Sequence, residues 1–282
     1  MAPLSSMKTG GIAPEACFPE TVEELVATVR ALKAEKRPFY VLGNLSNVLL
    51  PDGEIPFVPV VTTQMRGLTV TETQEGALVY ASCGLGLTKL ALDMCRAGYS
   101  GLSFAYGIPG TVGGAVYMNA GAYGSEMSAV VRSVRFYDSE YDRISELPVE
   151  ACAFGYRTSV FQQKNGVILG ASLALPRDEE ATALENAKEF MRRRKEKQPL
   201  EFPSCGSAFK RPEGHFAGEL IETCGLKGFS VGGAQVSEKH AGFVINAGGA
   251  TSAEVEALLM EVKKRVFERF GVLLEPEIRI LK

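Results

Sequence analysis

Histidine is scarce in this chain of 282 residues, which holds only His215 and His240. The six cysteines, at positions 17, 83, 95, 152, 205 and 224, are widely scattered, and no two of them form a C-x-x-C pair. Zinc sites are normally built from clustered cysteine and histidine ligands. The pattern therefore predicts no metal site, and it is typical of small packed thiols in a reducing compartment.

Long apolar runs and an excess of basic residues are also missing. No segment approaches the roughly 18 uncharged apolar residues that a membrane span needs, and the N-terminal MAPLSSMKTGG has no apolar signal-peptide core. The net charge of −3 argues against nucleic-acid binding, which favours a basic stripe. The run RRRK at 192–195 is typical of a solvated helix face. We expect a cytosolic protein, acting as a monomer, with no membrane or nucleic-acid partner.

The common nucleotide-binding motifs are absent as well. There is no G-x-x-x-x-G-K-[ST], and GLGLTK at 84–89 lacks the third glycine of the dinucleotide fingerprint. What is present is AYGIPGTVGGAVYMNAGAYGSE at 105–126, with six glycines. Each interior glycine disfavours a helix by roughly 0.5–1 kcal/mol relative to alanine, so this segment is predicted not to form a good helix. Its backbone, like that of GNLSN at 43–47, is suited to lie close to another group, although either turn alone is more typical of a tight structural turn.

Helical and strand patterns also occur along the rest of the chain, and the helix, strand and glycine-containing turn at 19–47 predict an α+β unit. Thr21 and Glu24, and again Thr251 and Glu254, have capping-box spacing at the start of amphipathic helices. A charged helical pattern at 176–199 marks a change in composition that separates two parts of the chain. The remaining predicted elements are strands at 39–42, 130–137 and 167–175, and a helix at 86–98 that is ended by Gly98.

Five long motifs, taken in order, resemble one family. They are GIPGTVGGAVYMNAGAYG, YRTSVF, KQPLEFPSCGSAFKRP, GELIETCGLKGFSVGGAQVSEKHAGFVIN and the terminal LEPEIRI. Over nearly its whole length the chain resembles the UDP-N-acetylenolpyruvoylglucosamine reductases, flavoenzymes of bacterial cell-wall synthesis. Its short length, and the absence of an obvious insertion after residue 161, resemble the compact type of this family.

The resemblance implies a particular domain organisation. Two FAD-binding subdomains of the vanillyl-alcohol-oxidase (PCMH) type are expected at 1–60 and 61–178. An α+β substrate-binding domain is expected at 179–282, with its last residues, including Glu277, returning to the active site. The boundary agrees with the change in composition near residue 176.

The resemblance also implies an FAD site built from the two glycine-containing turns. The residues implied are Gly43, Asn44, Ser46, Asn47, Gly107, Ile108, Pro109, Gly110, Thr111, Gly113, Gly114, Ala115, Asn119 and Gly121. We interpret the glycines of the second turn as positions where a Cβ atom would obstruct the cofactor. Family members usually have G-x-G-S-N in the first turn, whereas this chain has Leu45 at the second glycine. If that position requires positive φ, leucine costs on the order of 1 kcal/mol.

The reaction implied is the reduction of UDP-N-acetylglucosamine enolpyruvate by NADPH through FAD. Three residues match the family's catalytic positions. Ser207 is the expected proton donor, Arg157 offers a permanent positive fork for the substrate carboxylate, and Glu277 assists from the carboxylate side. The residues implied to bind the substrate are Tyr156, Lys195, Arg211 and Gln235.

Each of these side chains has an ordinary explanation when taken alone. An arginine in a loop is usually a surface residue, and a serine after a glycine usually forms a turn. Cys205 lies near Ser207 but lacks a histidine partner, so we interpret it as a packed thiol, and His240 as structural. Two other functions stay open: a different flavoprotein such as an oxidase, disfavoured by Ser207 and Glu277, and a non-catalytic nucleotide-sugar binder that has lost flavin, favoured only by Leu45.

Overall fold

The computed structural model describes residues 1–178 and 181–282. The helices in these residues are α1 (Val22–Ala34), α2 (Leu87–Arg96), α3 (Val112–Met118), α4 (Ala183–Lys197), α5 (Ala217–Thr223) and α6 (Ser252–Phe270). The strands are β1 (Phe39–Leu42), β2 (Val48–Leu49), β3 (Val58–Val61), β4 (Leu68–Glu72), β5 (Gly76–Ser82), β6 (Gly121–Ala122), β7 (Ser125–Glu126), β8 (Val131–Asp138), β9 (Arg143–Pro148), β10 (Gly166–Pro176), β11 (Ser204–Ser207), β12 (Ser230–Val231), β13 (Ala234–Val236), β14 (Phe243–Asn246) and β15 (Arg279–Ile280). This mixture confirms the predicted α+β class.

The chain divides into two compact units, and neither is continuous in sequence. The central unit comprises Glu15–Asn44 and Phe57–Arg193, and the terminal unit comprises Met1–Pro14, Leu45–Pro56 and Arg194–Lys282. The three-part division at residues 60 and 178 stays a prediction. Its second boundary adjoins residues 179 and 180, which lie outside the described residues.

The central unit is built on a five-stranded antiparallel sheet in the order β4-β5-β10-β8-β9. Side chains of α1, α2 and α3 share one apolar core with this sheet, and Val29, Leu90 and Val116 are fully buried in it. A parallel pair of β1 and β3 lies in the same unit. The predicted strands at 130–137 and 167–175 correspond to β8 and β10, at the centre of the sheet.

The terminal unit is built on the four-stranded sheet β11-β14-β13-β12 and on α6. The predicted apolar face of α6 is buried, as Val255, Leu258 and Val262 all lie in one core with sheet residues such as Val244. The predicted capping box at the start of α6 is complete, because Thr251 Oγ1 accepts from the Glu254 amide and the Glu254 carboxylate accepts from the Thr251 amide.

The capping box predicted for α1 forms only in part. Thr21 is the N-cap, and its Oγ1 accepts from the Glu24 amide at 3.1 Å. The Glu24 carboxylate, however, accepts from the amide of Glu20 at 2.8 Å, one residue before the N-cap. The helix start is therefore as predicted, but the reciprocal bond is displaced by one residue.

The prediction that the glycine-rich segment forms no helix is wrong for Val112–Met118, which is α3. Thr111 caps the helix by accepting from the Gly114 amide, and Val112 and Val116 are fully buried. A Cβ atom at Gly113 would lie 2.8 Å from Cys83 Cβ, so glycine allows the helix to approach the neighbouring backbone. Tertiary packing here outweighs the low intrinsic helix propensity of two glycines.

Within residues 1–178 and 181–282, no helix is both long enough and apolar enough to span a bilayer.

Candidate active site

Gly43 and Asn44, which begin the first glycine-containing turn, meet the second turn within the central unit. Asn44 Nδ2 donates to the Pro109 carbonyl at 2.6 Å. A Cβ atom at Gly43 would lie 2.3 Å from Thr111 Oγ1, so only glycine allows this approach. The structure thus brings Gly43 and Asn44 against residues 109–111, as an FAD site formed from both turns requires.

The glycines between 107 and 121 do not all serve one purpose. At Gly121, a Cβ atom would lie 2.6 Å from Glu126 Cβ, so protein packing alone explains the need for glycine. The contact with Cys83 explains Gly113 in the same way. Gly114 differs, because it is exposed and the nearest atom to an added Cβ is Thr111 Oγ1 at 3.6 Å. Residues 107–114 carry no charged side chain. This bare, uncharged surface fits the diphosphate and the flat ring of FAD.

Several side chains predicted to contact the cofactor are turned into the protein. Asn119 is fully buried in the left-handed conformation at the end of α3, with φ of 44°. Its amide donates to Glu126 Oε1 at 2.8 Å and to the Gly155 carbonyl at 3.0 Å, and its Oδ1 accepts from the Ser128 amide. Thr111 and Ala115 are buried as well. For these residues, and for Ile108 and Gly110, contact with FAD stays a prediction.

Leu45 occupies the left-handed region, with φ of 46°. Position 45 therefore has the positive φ that glycine favours, although leucine occupies it. Leu45 is 4% exposed, and its carbonyl accepts from the Ser6 amide at 3.2 Å in the terminal unit. Burial of the leucine side chain, worth roughly 1.5–3 kcal/mol, offsets the backbone strain of about 1–2 kcal/mol.

We expect Leu45→Gly to be less destabilising than Leu45→Ala by about 1 kcal/mol, because glycine alone relieves the left-handed strain. Both variants lose the buried leucine side chain and should be less stable than the wild type. Equilibrium denaturant unfolding of the three proteins measures the difference. An alanine variant that is more stable than the glycine variant would show that residue 45 does not need positive φ.

Arg157 and Tyr156 lie at the tip of a tight loop in the central unit. The Arg157 guanidinium lies over the Tyr156 ring, with 5.1 Å between Cζ and the ring centroid. Its Nη2 donates to the Gly121 carbonyl at 3.0 Å. Tyr156 is half exposed. The guanidinium is thus held at the glycine-rich segment, in the same unit as Gly43 and Asn44.

A β-bulge presents Ser207 at the surface of the terminal unit. Ser204 pairs with Ile245 and Ser207 with Phe243, so strand β11 has one residue more than its partner. Residues two apart in a regular strand point to the same face, yet Cys205 is buried and Ser207 is exposed. The extra residue, with Gly206 at φ of 76°, turns the serine away from the core.

Glu277 lies on the chain segment next to Ser207. Its amide donates to the Ala208 carbonyl at 2.9 Å, and Phe209 pairs with Pro276. The Asn47 side chain donates to the Glu277 carbonyl at 3.1 Å, so this predicted cofactor residue supports the chain segment that carries Glu277. The terminal unit therefore brings Ser207, Glu277 and Asn47 onto neighbouring backbone segments.

The predicted substrate-binding residues Lys195, Arg211 and Gln235 also belong to the terminal unit. Arg211 lies over the exposed ring of Phe216, with 4.5 Å from Cζ to the ring centroid. Gln235 Nε2 donates to Ser230 Oγ at 3.0 Å. Lys195 is exposed, and its carbonyl accepts from a neighbouring lysine. Their contacts with substrate stay predictions.

Cys205 has the environment of an inert thiol. Burial raises the pKa of Cys205 to about 12, and its Sγ donates to the Val48 carbonyl at 3.5 Å. The thiolate, which is the nucleophile, is therefore scarcely populated near neutral pH.

We expect a short pulse of iodoacetamide on the native protein to modify Cys17 and Cys224, which are partly exposed, and to leave Cys205 unmodified. Peptide mass spectrometry measures the extent at each cysteine. All six should react in denaturant, which serves as the control. Rapid native labelling of Cys205 would contradict its packed role.

His240 takes a packing role in the terminal unit. Its Nδ1 accepts from the Gly242 amide at 3.0 Å, its ring meets Phe243 edge to face, and burial lowers its pKa. In the part of the chain that the structure describes, no group of three or more His, Cys, Asp or Glu residues could hold a metal ion.

Two polar side chains that sequence reasoning missed support the Arg157 loop. Ser159 Oγ donates to the Tyr117 carbonyl at 2.7 Å, and Gln162 Nε2 donates to the same carbonyl at 3.0 Å and to the Arg157 carbonyl at 3.1 Å. Ser159 lies inside the YRTSVF motif and Gln162 directly after it. That adjacency was the only signal in the sequence.

Two family models match the chain in the order of the predicted domains. The FAD binding domain matches residues 14–140. The UDP-N-acetylenolpyruvoylglucosamine reductase C-terminal domain matches residues 198–281. They confirm the predicted fold class, in which an FAD-binding domain is followed by a substrate domain.

Similar proteins extend these matches to the full length. A UDP-N-acetylenolpyruvoylglucosamine reductase from Caldicellulosiruptor saccharolyticus is 43% identical over 99% of this chain and 89% of its own. Another from Caldanaerobacter subterraneus subsp. tengcongensis is 44% identical over 98% and 90%. The crystal structure of the Thermus caldophilus reductase has a TM-score of 0.80 at 33% identity, covering 100% of this chain and 97% of that one. The chain therefore belongs to the UDP-N-acetylenolpyruvoylglucosamine reductase family of peptidoglycan precursor synthesis, with FAD as cofactor and NADPH as co-substrate.

Proposed function

We propose that this protein reduces UDP-N-acetylglucosamine enolpyruvate to UDP-N-acetylmuramate, with a hydride from NADPH delivered through FAD and a proton from Ser207. The observation that carries the proposal is the bulge in β11, which exposes the Ser207 hydroxyl beside the Glu277 segment while its neighbours Cys205 and Ala208 stay buried. An exposed, positioned hydroxyl is what a proton donor to a substrate carbon needs.

The substrate determines where charge develops. Its enolpyruvyl double bond is conjugated with a carboxylate, so a hydride adds to the terminal methylene carbon and electron density moves onto the carboxylate. When bound, FAD supplies this hydride, which NADPH has given it. A proton must then reach the carbon that bears the ether oxygen. The π bond is replaced by two C–H bonds, and NADPH is oxidised.

Three side chains of this protein act in these steps of the reduction. The Arg157 guanidinium binds the carboxylate and stabilises the charge that accumulates on it. Ser207 Oγ donates its proton to the carbon next to the carboxylate. Glu277 acts from the carboxylate side, where it helps to polarise or protonate the intermediate. The Asn47 bond to the Glu277 carbonyl supports that placement.

Two of the residues proposed to bind the sugar nucleotide, Lys195 and Arg211, carry the positive charge that matches a diphosphate. Lys195 and Arg211 interact with the diphosphate, Gln235 donates a hydrogen bond to it, and Tyr156 orients Arg157 or the substrate. The contact between the Arg157 guanidinium and the Tyr156 ring supports the last assignment.

The two alternative functions, an oxidase and a nucleotide-sugar binder without flavin, require different residues. An oxidase acting on an alcohol needs no proton donor to a carbanion, so that function does not explain the exposed Ser207 hydroxyl. A nucleotide-sugar binder that has lost flavin gains support only from strain at Leu45. Burial of that leucine offsets the strain, so the turn persists without any loss of its geometry.

The test is to purify the protein, record its visible spectrum, and follow NADPH oxidation with and without the enolpyruvyl sugar nucleotide. We expect flavin absorption and NADPH oxidation that depends on the substrate. A colourless protein that takes up no added FAD would overturn the proposal. A flavoprotein that oxidises NADPH at the same rate with and without substrate would favour another redox function.

A further inference from the structure

Several strained backbone positions lie near Arg157. Of the nine described residues other than glycine that adopt positive φ, three belong to the glycine-rich segment or to the loop beside it: Asn119 (44°), Tyr123 (54°) and Arg157 (55°). Residues with a Cβ atom avoid this conformation, and they keep it only where the surroundings determine it. Asparagine tolerates it best, so Tyr123 and Arg157 are the unusual members.

The loop that carries Arg157 has the geometry of a tight turn. The Gly155 and Thr158 backbones exchange two hydrogen bonds of 3.1 and 3.2 Å, which leaves Tyr156 and Arg157 as the two loop residues. Positive φ at the second residue only is the pattern of a type II turn, where glycine is preferred. An arginine therefore stands where the backbone favours glycine.

Gln162 fixes the backbone of this arginine. One side-chain amide, Gln162 Nε2, donates to the Arg157 carbonyl at 3.1 Å and to the Tyr117 carbonyl at 3.0 Å. Tyr117 lies in the last turn of α3, the helix formed by the glycine-rich segment. The amide thus links the strained residue to a buried helix.

Two further bonds complete the support from the same segment. Asn119, the residue that ends α3, donates to the Gly155 carbonyl at the start of the loop. The Arg157 guanidinium donates to the Gly121 carbonyl. Residues 117–121 therefore hold the loop at its base, at its backbone tip and at its charged end.

We propose that Gln162 is a positioning residue for the reduction, which holds the Arg157 main chain in its left-handed conformation so that the guanidinium is already placed for the substrate carboxylate. The inference rests on the role proposed for Arg157. A preformed cation stabilises developing charge without reorganisation, and small misplacement of a catalytic group costs up to about 10²-fold in rate.

The test replaces Gln162 with methionine, which has a similar length and cannot donate. We expect Gln162→Met to slow reoxidation of the reduced enzyme by substrate by about 10-fold to 10²-fold, while reduction by NADPH and flavin content stay as in the wild type. Gln163→Leu is the matched control, because Gln163 is the exposed neighbour in the same turn, and it should change neither half-reaction.

A double-mutant cycle distinguishes positioning from general support of the fold. In an Arg157→Ala background, Gln162→Met should cause no further slowing, because it acts through the missing guanidinium. An equal additional loss in that background, slowing of both half-reactions, or no effect in the wild type would overturn the inference. If Gln162→Met does not fold, Gln162→Asn, whose amide is one methylene short, is carried through the same cycle with the same expectations.

The failure of this inference is distinguishable from that of the proposed function. If Arg157→Ala alone leaves reoxidation unchanged, the role proposed for Arg157 is wrong. If Arg157→Ala slows reoxidation and neither Gln162 variant does, only the positioning role is wrong.

Discussion

Ser207→Ala is expected to slow reoxidation of the reduced flavin by the enolpyruvyl substrate by about 10²–10⁴-fold, the range for loss of a positioned proton donor. Reduction of the flavin by NADPH should stay nearly unchanged, because no carbon is protonated in that half-reaction. Stopped-flow absorbance measures the two half-reactions separately. The β-bulge that exposes Ser207 depends on backbone geometry, so alanine should leave it intact.

Ser204→Ala is the matched control for this variant. Ser204 lies in the same strand on the other side of the bulge, where it pairs with Ile245. We expect its replacement to leave both half-reactions unchanged. Equal slowing of both half-reactions in Ser207→Ala would reject the role of proton donor, as would full activity in that variant.

Arg157→Ala is expected to lower turnover by about 10²–10³-fold, because the charge on the substrate carboxylate loses the cation that stabilises it. Arg157→Lys should recover little of this loss, since an ammonium group lacks the planar fork that pairs with a carboxylate. Steady-state turnover with saturating substrate, supported by single-turnover reoxidation, measures the effect.

Arg143→Ala provides a control with similar local contacts. The Arg143 guanidinium lies over the Tyr141 ring at 5.3 Å, much as that of Arg157 lies over Tyr156, but Arg143 is in strand β9. Its replacement should not affect turnover. An unchanged rate for Arg157→Ala with saturating substrate would contradict the assignment of Arg157.

The structure of the glycine-rich segment could be predicted only in part from the sequence. Low helix propensity predicts irregular backbone for residues 105–126, and part of that segment is indeed turns. The exception is α3, which forms because Gly113 packs against Cys83 and Val116 is buried. The same packing shows that a glycine can be required by a protein contact, so a count of glycines does not by itself locate a cofactor.

The active site was likewise predictable only in part from the sequence. Motif order was sufficient to identify Ser207, Arg157 and Glu277 as candidates. It contained no information about the bulge that exposes Ser207, because a register shift depends on the partner strand β14. It also missed Gln162, whose side-chain amide donates both to the Arg157 loop and to α3.

The sequence by itself determined the α+β class, the helix starts at Thr21 and Thr251, the buried face of α6, and the family. These depend on local capping, on periodicity and on motif order, which can all be read from the order of the residues alone. Only the tertiary structure decided that residues 1–14 and 45–56 join the C-terminal part in one unit, that Leu45 keeps positive φ, and that α3 exists. These depend on contacts between residues far apart in the sequence, whose packing free energies outweigh local preferences of about 1 kcal/mol per residue.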